Sequence, residues 1–143
     1  MSCKVLSSVS ATVVIFLAGF WMGKTTQVKA QSQGRVFELR TYTANPGKLG
    51  ELHARFRDHT LPLFQKHGIT NIGYWSPQDE PEASNTLIYL LAHASRDAAT
   101  KSWEAFRKDP EWQKAREASE VNGRLTSKVV SVFLEPTDYS PLK

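Results

Sequence analysis

The chain has 143 residues, 41% hydrophobic and 22% charged, with a formal net charge of +4. That composition describes one ordinary globular domain, not two. Residues 1–30 hold Lys4, Lys24 and Lys29 and no acid, which leaves 15 basic and 14 acidic side chains in the 113 residues that follow. Those charges alternate in sign along the helices, so the basic stripe of a nucleic-acid-binding protein is missing.

The single cysteine, Cys3, lies in the same opening segment. The remaining chain therefore has no disulfide, no Cys-ligated zinc, no iron–sulfur cluster and no cysteine nucleophile. An apolar run over 9–23 follows a basic start and precedes Val28-Lys29-Ala30. This is the layout of a secretory signal, with small residues before a cut between Ala30 and Gln31. The expectation is an exported protein, periplasmic or secreted, with residues 31–143 as the mature domain and no membrane span after cleavage. An uncleaved anchor over 9–23 is the alternative, although the run falls short of the roughly 20 residues that cross a bilayer. A mitochondrial presequence would carry arginine, and the first arginine is Arg35.

Residues 35–43 alternate in character and predict a strand. Asn45-Pro46-Gly47 predicts a helix start with Asn45 as N-cap and Pro46 in the first turn. Leu49, Leu52, Phe56 and Leu63 form its apolar stripe, Pro62 predicts a kink or a split near Thr60, and Gly68 ends it. Residues 69–75 predict a second strand, 76–84 a loop, and 85–93 a third strand that is apolar on both faces. Ser95 caps a predicted helix to Lys108, and Asp109-Pro110-Glu111 opens another. The last strand is expected over 127–134, and Pro136 and Pro141 mark a tail.

The order β-α-β-β-α-α-β is a ferredoxin-like α+β layout with helices on one sheet face. Apolar residues of both parities in 85–93 and 127–134 imply that the other face is covered too. The mature chain has nothing left to cover it, so a second copy packed sheet against sheet is expected.

Glu38-Leu39-Arg40-Thr41-Tyr42, Pro46-Gly47-Lys48, Leu61-Pro62, Gly73-Tyr74-Trp75 and Asp109-Pro110-Glu111-Trp112 occur in this order. Together they resemble the NIPSNAP family, over a core from about Val36 to Pro136. The resemblance implies a dimeric α+β barrel, a superfamily that includes small monooxygenases, haem-degrading proteins and stress-induced small proteins. Eukaryotic members of the family are associated with mitochondria and with vesicle or mitophagy signalling. This chain departs from them in its secretory leader and its single domain.

Strand alternation places Glu38, Arg40 and Tyr42 on one face of the first strand. Arg40 then has two readings: an ion pair with Glu38 or another carboxylate that fixes the sheet or dimer register, or a fork for a substrate carboxylate with Tyr42 as donor. His53, His59, His67 and His93 form no His-x-x-x-His or His-Glu-x-x-His pair, so no metal site is predicted. His59 precedes the expected kink and is the candidate cavity base or haem ligand; His93 ends the third strand, where ligand pockets open. Tyr74, Trp75, Tyr89, Trp103, Phe106 and Trp112 predict either an aromatic core or a pocket for a flat hydrophobic ligand. No cofactor is predicted, haem being the one considered. The candidate catalytic residues are Arg40, Tyr42 and His59, and the candidate ligand contacts add Tyr74, Trp75, Tyr89, His93 and Trp103. The rival functions are a ligand-binding module, a cofactor-light oxygenase or haem-handling enzyme, and a non-catalytic interaction protein.

Overall fold

The computed structural model describes residues 35–143, so the expected signal segment and its cut lie outside the described residues. The elements are β1 (Val36–Ala44), α1 (Leu49–Arg55), a π-helical turn (Phe56–Thr60), α2 (Leu61–Lys66), β2 (Thr70–Trp75), a 3₁₀ turn (Glu82–Ser84), β3 (Thr86–His93), α3 (Arg96–Lys108), α4 (Pro110–Ser119) and β4 (Thr126–Leu134). The strands form one antiparallel sheet in the order β2-β3-β1-β4, the ferredoxin-like arrangement with β1 inside.

Two of the expected caps are present. Ser95 Oγ accepts from Ala98 N at 3.0 Å, and an Asp109 carboxylate oxygen accepts from Glu111 N at 2.8 Å. Asn45 does not cap a helix. Gly47 has φ of 74°, which takes the chain off the helical path, and Lys48 N donates to Asn45 O at 2.9 Å. Asn45-Pro46-Gly47-Lys48 is thus a tight turn with Pro second and a left-handed Gly third, and α1 begins two residues later than Gly47, at Leu49.

The α-helical run is interrupted near Thr60, where Pro62 predicts a break, and the interruption is the π turn between α1 and α2. A proline has no N–H for the carbonyl four residues back, and here the preceding turn is widened. Leu61 N donates to Phe56 O, five residues back, and Thr60 Oγ1 donates to Arg55 O at 3.2 Å. The wide turn feeds α2 with Pro62 in its first turn. Inserted π turns of this kind often occur at functional sites.

The helices cover one face of the sheet. Leu52, Phe64, Leu87, Tyr89, Leu91 and Leu125 are closed to solvent there. Truncating a buried leucine of that set to Ala removes about 2–5 kcal/mol. On the other face, side chains lie in rows across the strands: Val130, Thr41, Ile88 and Trp75 in one, Val132, Leu39 and Leu90 in the next. Trp75 is 52% exposed, and its ring lies over Gly73. A third row, Leu134, Phe37 and Ala92, ends under the C-terminal tail, where Phe37, Leu90 and Leu134 share a groove with Pro136 and Leu142. Among the described residues no helix is long and apolar enough to cross a membrane.

Candidate functional site

The helix-side face of β1 carries Glu38, Arg40 and Tyr42 in alternation, as the sequence predicts. The register puts Ser131, Arg40, Tyr89 and Tyr74 in one row across all four strands. Glu38, only 1% exposed, is the hub. One of its oxygens accepts from Arg40 and Ser131, both at 2.6 Å; the other accepts from Trp103 Nε1 at 2.7 Å and faces His93 Nε2 at 3.0 Å.

Burial alone would raise the Glu38 pKa, but bonds from His93, Ser131, Trp103 and Arg40 outweigh it and hold the carboxyl at about 2. The ionised carboxylate only accepts, so His93 Nε2 carries the hydrogen that meets it. The buried Nδ1 of His93 has no partner among the described residues.

Arg40 is committed on three sides: to Glu38, to the Tyr89 hydroxyl at 2.9 Å from Nε, and to Tyr42 at 3.3 Å. Its guanidinium also lies 4.4 Å from the centre of the Trp103 ring. Of the two readings of Arg40, the geometry is that of the internal ion pair. Tyr42 accepts from Arg40, which leaves its proton for the Tyr89 oxygen or for an acceptor in the adjoining cavity. Tyr89 is fully buried and stacks on Tyr74 with ring centres 5.2 Å apart. Burial pushes both phenols upward, so neither is a base at neutral pH.

A cavity of about 300 Å³ opens between the sheet and the helices beside this cluster. Its aromatic wall is Tyr42, Phe56, Phe64, Trp103, Phe106 and Trp112. The rings pack mainly edge to face on one another, with Phe64 and Trp103 centred 5.2 Å apart, but they leave this volume unfilled. Arg55, Thr60, Glu120 and Val129 also line it. The widened turn and the end of α1 supply part of this wall: Phe56 and Thr60 of the turn and Arg55 just before it are all buried.

Three of the expected ligand contacts, Arg40, Tyr42 and Trp103, line this cavity. Tyr89 and His93 lie behind it, holding Arg40 and Glu38. Tyr74 and Trp75 line a second groove of about 270 Å³ with His53 and Leu87. His59, expected to turn into the space between helix and sheet, is exposed and lines neither. The π turn gives the inward position to Thr60 instead, which is 1% exposed. None of the four histidines lines the aromatic-walled cavity, so its residues do not fit a histidine-ligated haem. Among the described residues no three His, Cys, Asp or Glu side chains converge as a metal site.

Arg55 and Glu120 escape the sequence reading, which has Phe56 only as part of the apolar stripe. Arg55 lies three residues after Leu52, on the border of the apolar stripe, and an arginine at such a position is the signal that was there to find.

A family model for NIPSNAP matches residues 37–141. The chain belongs to the NIPSNAP family. Among solved structures, a NIPSNAP family protein from Agrobacterium tumefaciens is 25% identical, with a TM-score of 0.66 over 76% of this chain and 99% of its own. A NIPSNAP-like domain protein from Burkholderia xenovorans is 19% identical, with a TM-score of 0.66 over 76% of this chain and 90% of its own. SnoaB, a cofactor-independent oxygenase from Streptomyces nogalater, shares the fold at 12% identity, with a TM-score of 0.52 over 76% of this chain and 98% of its own. No curated protein matches the chain. The NIPSNAP and SnoaB likenesses agree with the four-stranded antiparallel sheet and its helices.

Proposed function

We propose that this NIPSNAP protein is an exported homodimer that binds a small hydrophobic or aromatic molecule between sheet and helices. The cavity of about 300 Å³ carries this reading: six aromatic side chains form a wall around space they do not fill. That volume lies at the lower end of the range for small-molecule sites, about 300–1,000 Å³. The Glu38–Arg40 cluster is a rigid floor for it. The Glu38 carboxylate is engaged by Arg40, Ser131, Trp103 and His93, so the cluster holds shape beside the cavity. The apolar rows on the opposite sheet face support the dimer, since exposed Val130, Val132 and Trp75 form one patch with Leu39 and Leu90.

Native mass spectrometry on protein purified gently from an exporting host tests all three parts. The expected result is a dimer that begins at Gln31 and carries extra non-covalent mass. A dimer without added mass, and without uptake from a panel of aromatic compounds, would favour an interaction protein instead.

A second reading is turnover in the same cavity, favoured by the fold shared with a cofactor-independent oxygenase. Tyr42 is then the residue to test, because its hydroxyl reaches the cavity wall and His59 does not. Oxygen uptake with a bound hydroquinone, lost in Tyr42→Phe while binding persists, would support turnover; binding without uptake would sink it.

A further inference from the structure

The charges around the aromatic-lined cavity are lopsided. Arg40, Arg55, Arg107, Arg116 and Arg124 line it, against one acid, Glu120. Counting Glu38 behind Arg40 still leaves three positive charges in excess. The described residues as a whole hold 15 basic and 14 acidic side chains, so the excess at this one site is larger than that of the entire described chain. A wall of one sign over an apolar floor raises the local concentration of ligands of the opposite sign.

The arginines differ in what they have available. Arg40 is neutralised by Glu38 at 2.6 Å. Glu120 is shared, 3.0 Å from Arg55 and 3.5 Å from Arg116. Arg107 and Arg124 have no carboxylate within ion-pair distance among the described residues, and with Arg116 they are exposed at the mouth. The Arg55 side chain is 5% exposed, and its Nε–H is buried with no acceptor. Its Nη1 reaches Ser119 and Glu120, and its guanidinium lies 5.3 Å from the centre of the Trp112 ring. A buried charged donor without an acceptor is unfavourable unless something supplies one. Arg55 itself lines an open cavity, with the Trp112 ring at the side of its guanidinium.

We propose that the cavity receives a small aromatic carboxylate, its ring against Trp103 and Trp112 and its carboxylate accepting from Arg55, with Arg116 and Arg124 attracting it at the mouth. This ligand class rests on the cavity being a binding site at all, and the test separates the two. A planar carboxylate suits the guanidinium fork, and charge-assisted bonds of this kind are roughly twice as strong as neutral ones. A neutral aromatic would leave the excess charge unanswered.

The experiment is titration of the purified protein with 1-naphthoate and, separately, with its uncharged analogue 1-naphthalenemethanol, followed by tryptophan fluorescence and calorimetry. The acid is expected to bind at least about tenfold more tightly than the alcohol at low salt, with the preference shrinking as salt rises. Arg116→Gln with Arg124→Gln, both at exposed positions, should weaken the acid several-fold with far less effect on the alcohol, and circular dichroism checks that the double variant is folded. Arg55→Lys should keep the charge, lose the fork, and also lower the preference. Equal binding of acid and alcohol would overturn the carboxylate assignment and leave the cavity reading standing. No binding of either at millimolar concentration would overturn both.

Discussion

Glu38 and Arg40 stand two residues apart on one face of β1 and meet at 2.6 Å, with Ser131, Trp103 and His93 closing around the same carboxylate. Alternation makes the pairing possible, and the inner position of β1 makes it dry. Glu38→Gln keeps the shape, removes the charge, and leaves Arg40 half-buried without its counter-ion. Breaking a buried pair from one side typically removes about 3–5 kcal/mol, and a loss of that size is expected in urea unfolding. A change below about 1 kcal/mol would mean that solvent already reaches the pair.

The same carboxylate sets an acid limit. Its ordinary pKa is 4.5 and the folded protein holds it at about 2, so the ionised form is favoured by folding. The gap corresponds to about 3 kcal/mol, present in full above pH 4.5 and lost as pH falls towards 2. Unfolding of the parent protein should therefore become easier across that window. Glu38→Gln should show a flatter profile there, and the two curves should converge at the acid end. Parallel curves from pH 6 to pH 2 would show that other groups govern acid unfolding.

Much of the fold is legible from local chemistry. Strand boundaries follow β-formers and alternation, and Ser95 and Asp109 cap α3 and α4 because their side chains need no distant partner. Asn45 misleads and Pro62 marks the right break without its form, because each has two local solutions and tertiary context decides between them. Asn45-Pro46-Gly47 suits a helix start or a tight turn, and the positive φ of Gly47 selects the turn. Pro62 suits a kink or a widened turn, and Thr60 bonding back to Arg55 O accompanies the second. The Glu38–Arg40 pair was readable because it lies within one strand. The cavity was not, since Arg55 on α1, Trp112 on α4 and Val129 on β4 are distant in sequence and meet only in the folded chain.

Ser95 offers a clean check on local energetics. Its Oγ accepts from Ala98 N at 3.0 Å at the start of α3. Ser95→Ala should lower stability by about 1 kcal/mol without changing ligand uptake, as read by thermal unfolding alongside fluorescence titration. A drop in ligand affinity would tie α3 more closely to the cavity than Trp103 and Phe106 alone suggest.

The uncovered sheet face makes its own demand. Val132 is 47% exposed and lies in one row with Leu39 and Leu90. In a sheet-to-sheet dimer, Val132→Lys buries a charge with no partner and should shift sedimentation from dimer to monomer at micromolar concentration. The folded monomer should keep its far-ultraviolet spectrum, because β4 is an edge strand and the lysine faces away from the helices. Parent protein that stays monomeric at high micromolar concentration would sink the dimer.

Val129 stands opposite Tyr42 on the helix-side face and is 44% exposed where the cavity opens along β4. A larger side chain there meets open space, so Val129→Trp should leave stability within about 0.5 kcal/mol of the parent. The indole would fill the entrance beside Tyr42 and compete with any ring bound against Trp103. Uptake of 1-naphthoate should fall by at least about tenfold, with the loss showing as a rise in Kd and no change in stoichiometry for the fraction that binds. Unchanged affinity would place the bound ring elsewhere, and the groove beside Trp75 and His53 would be the next site to block.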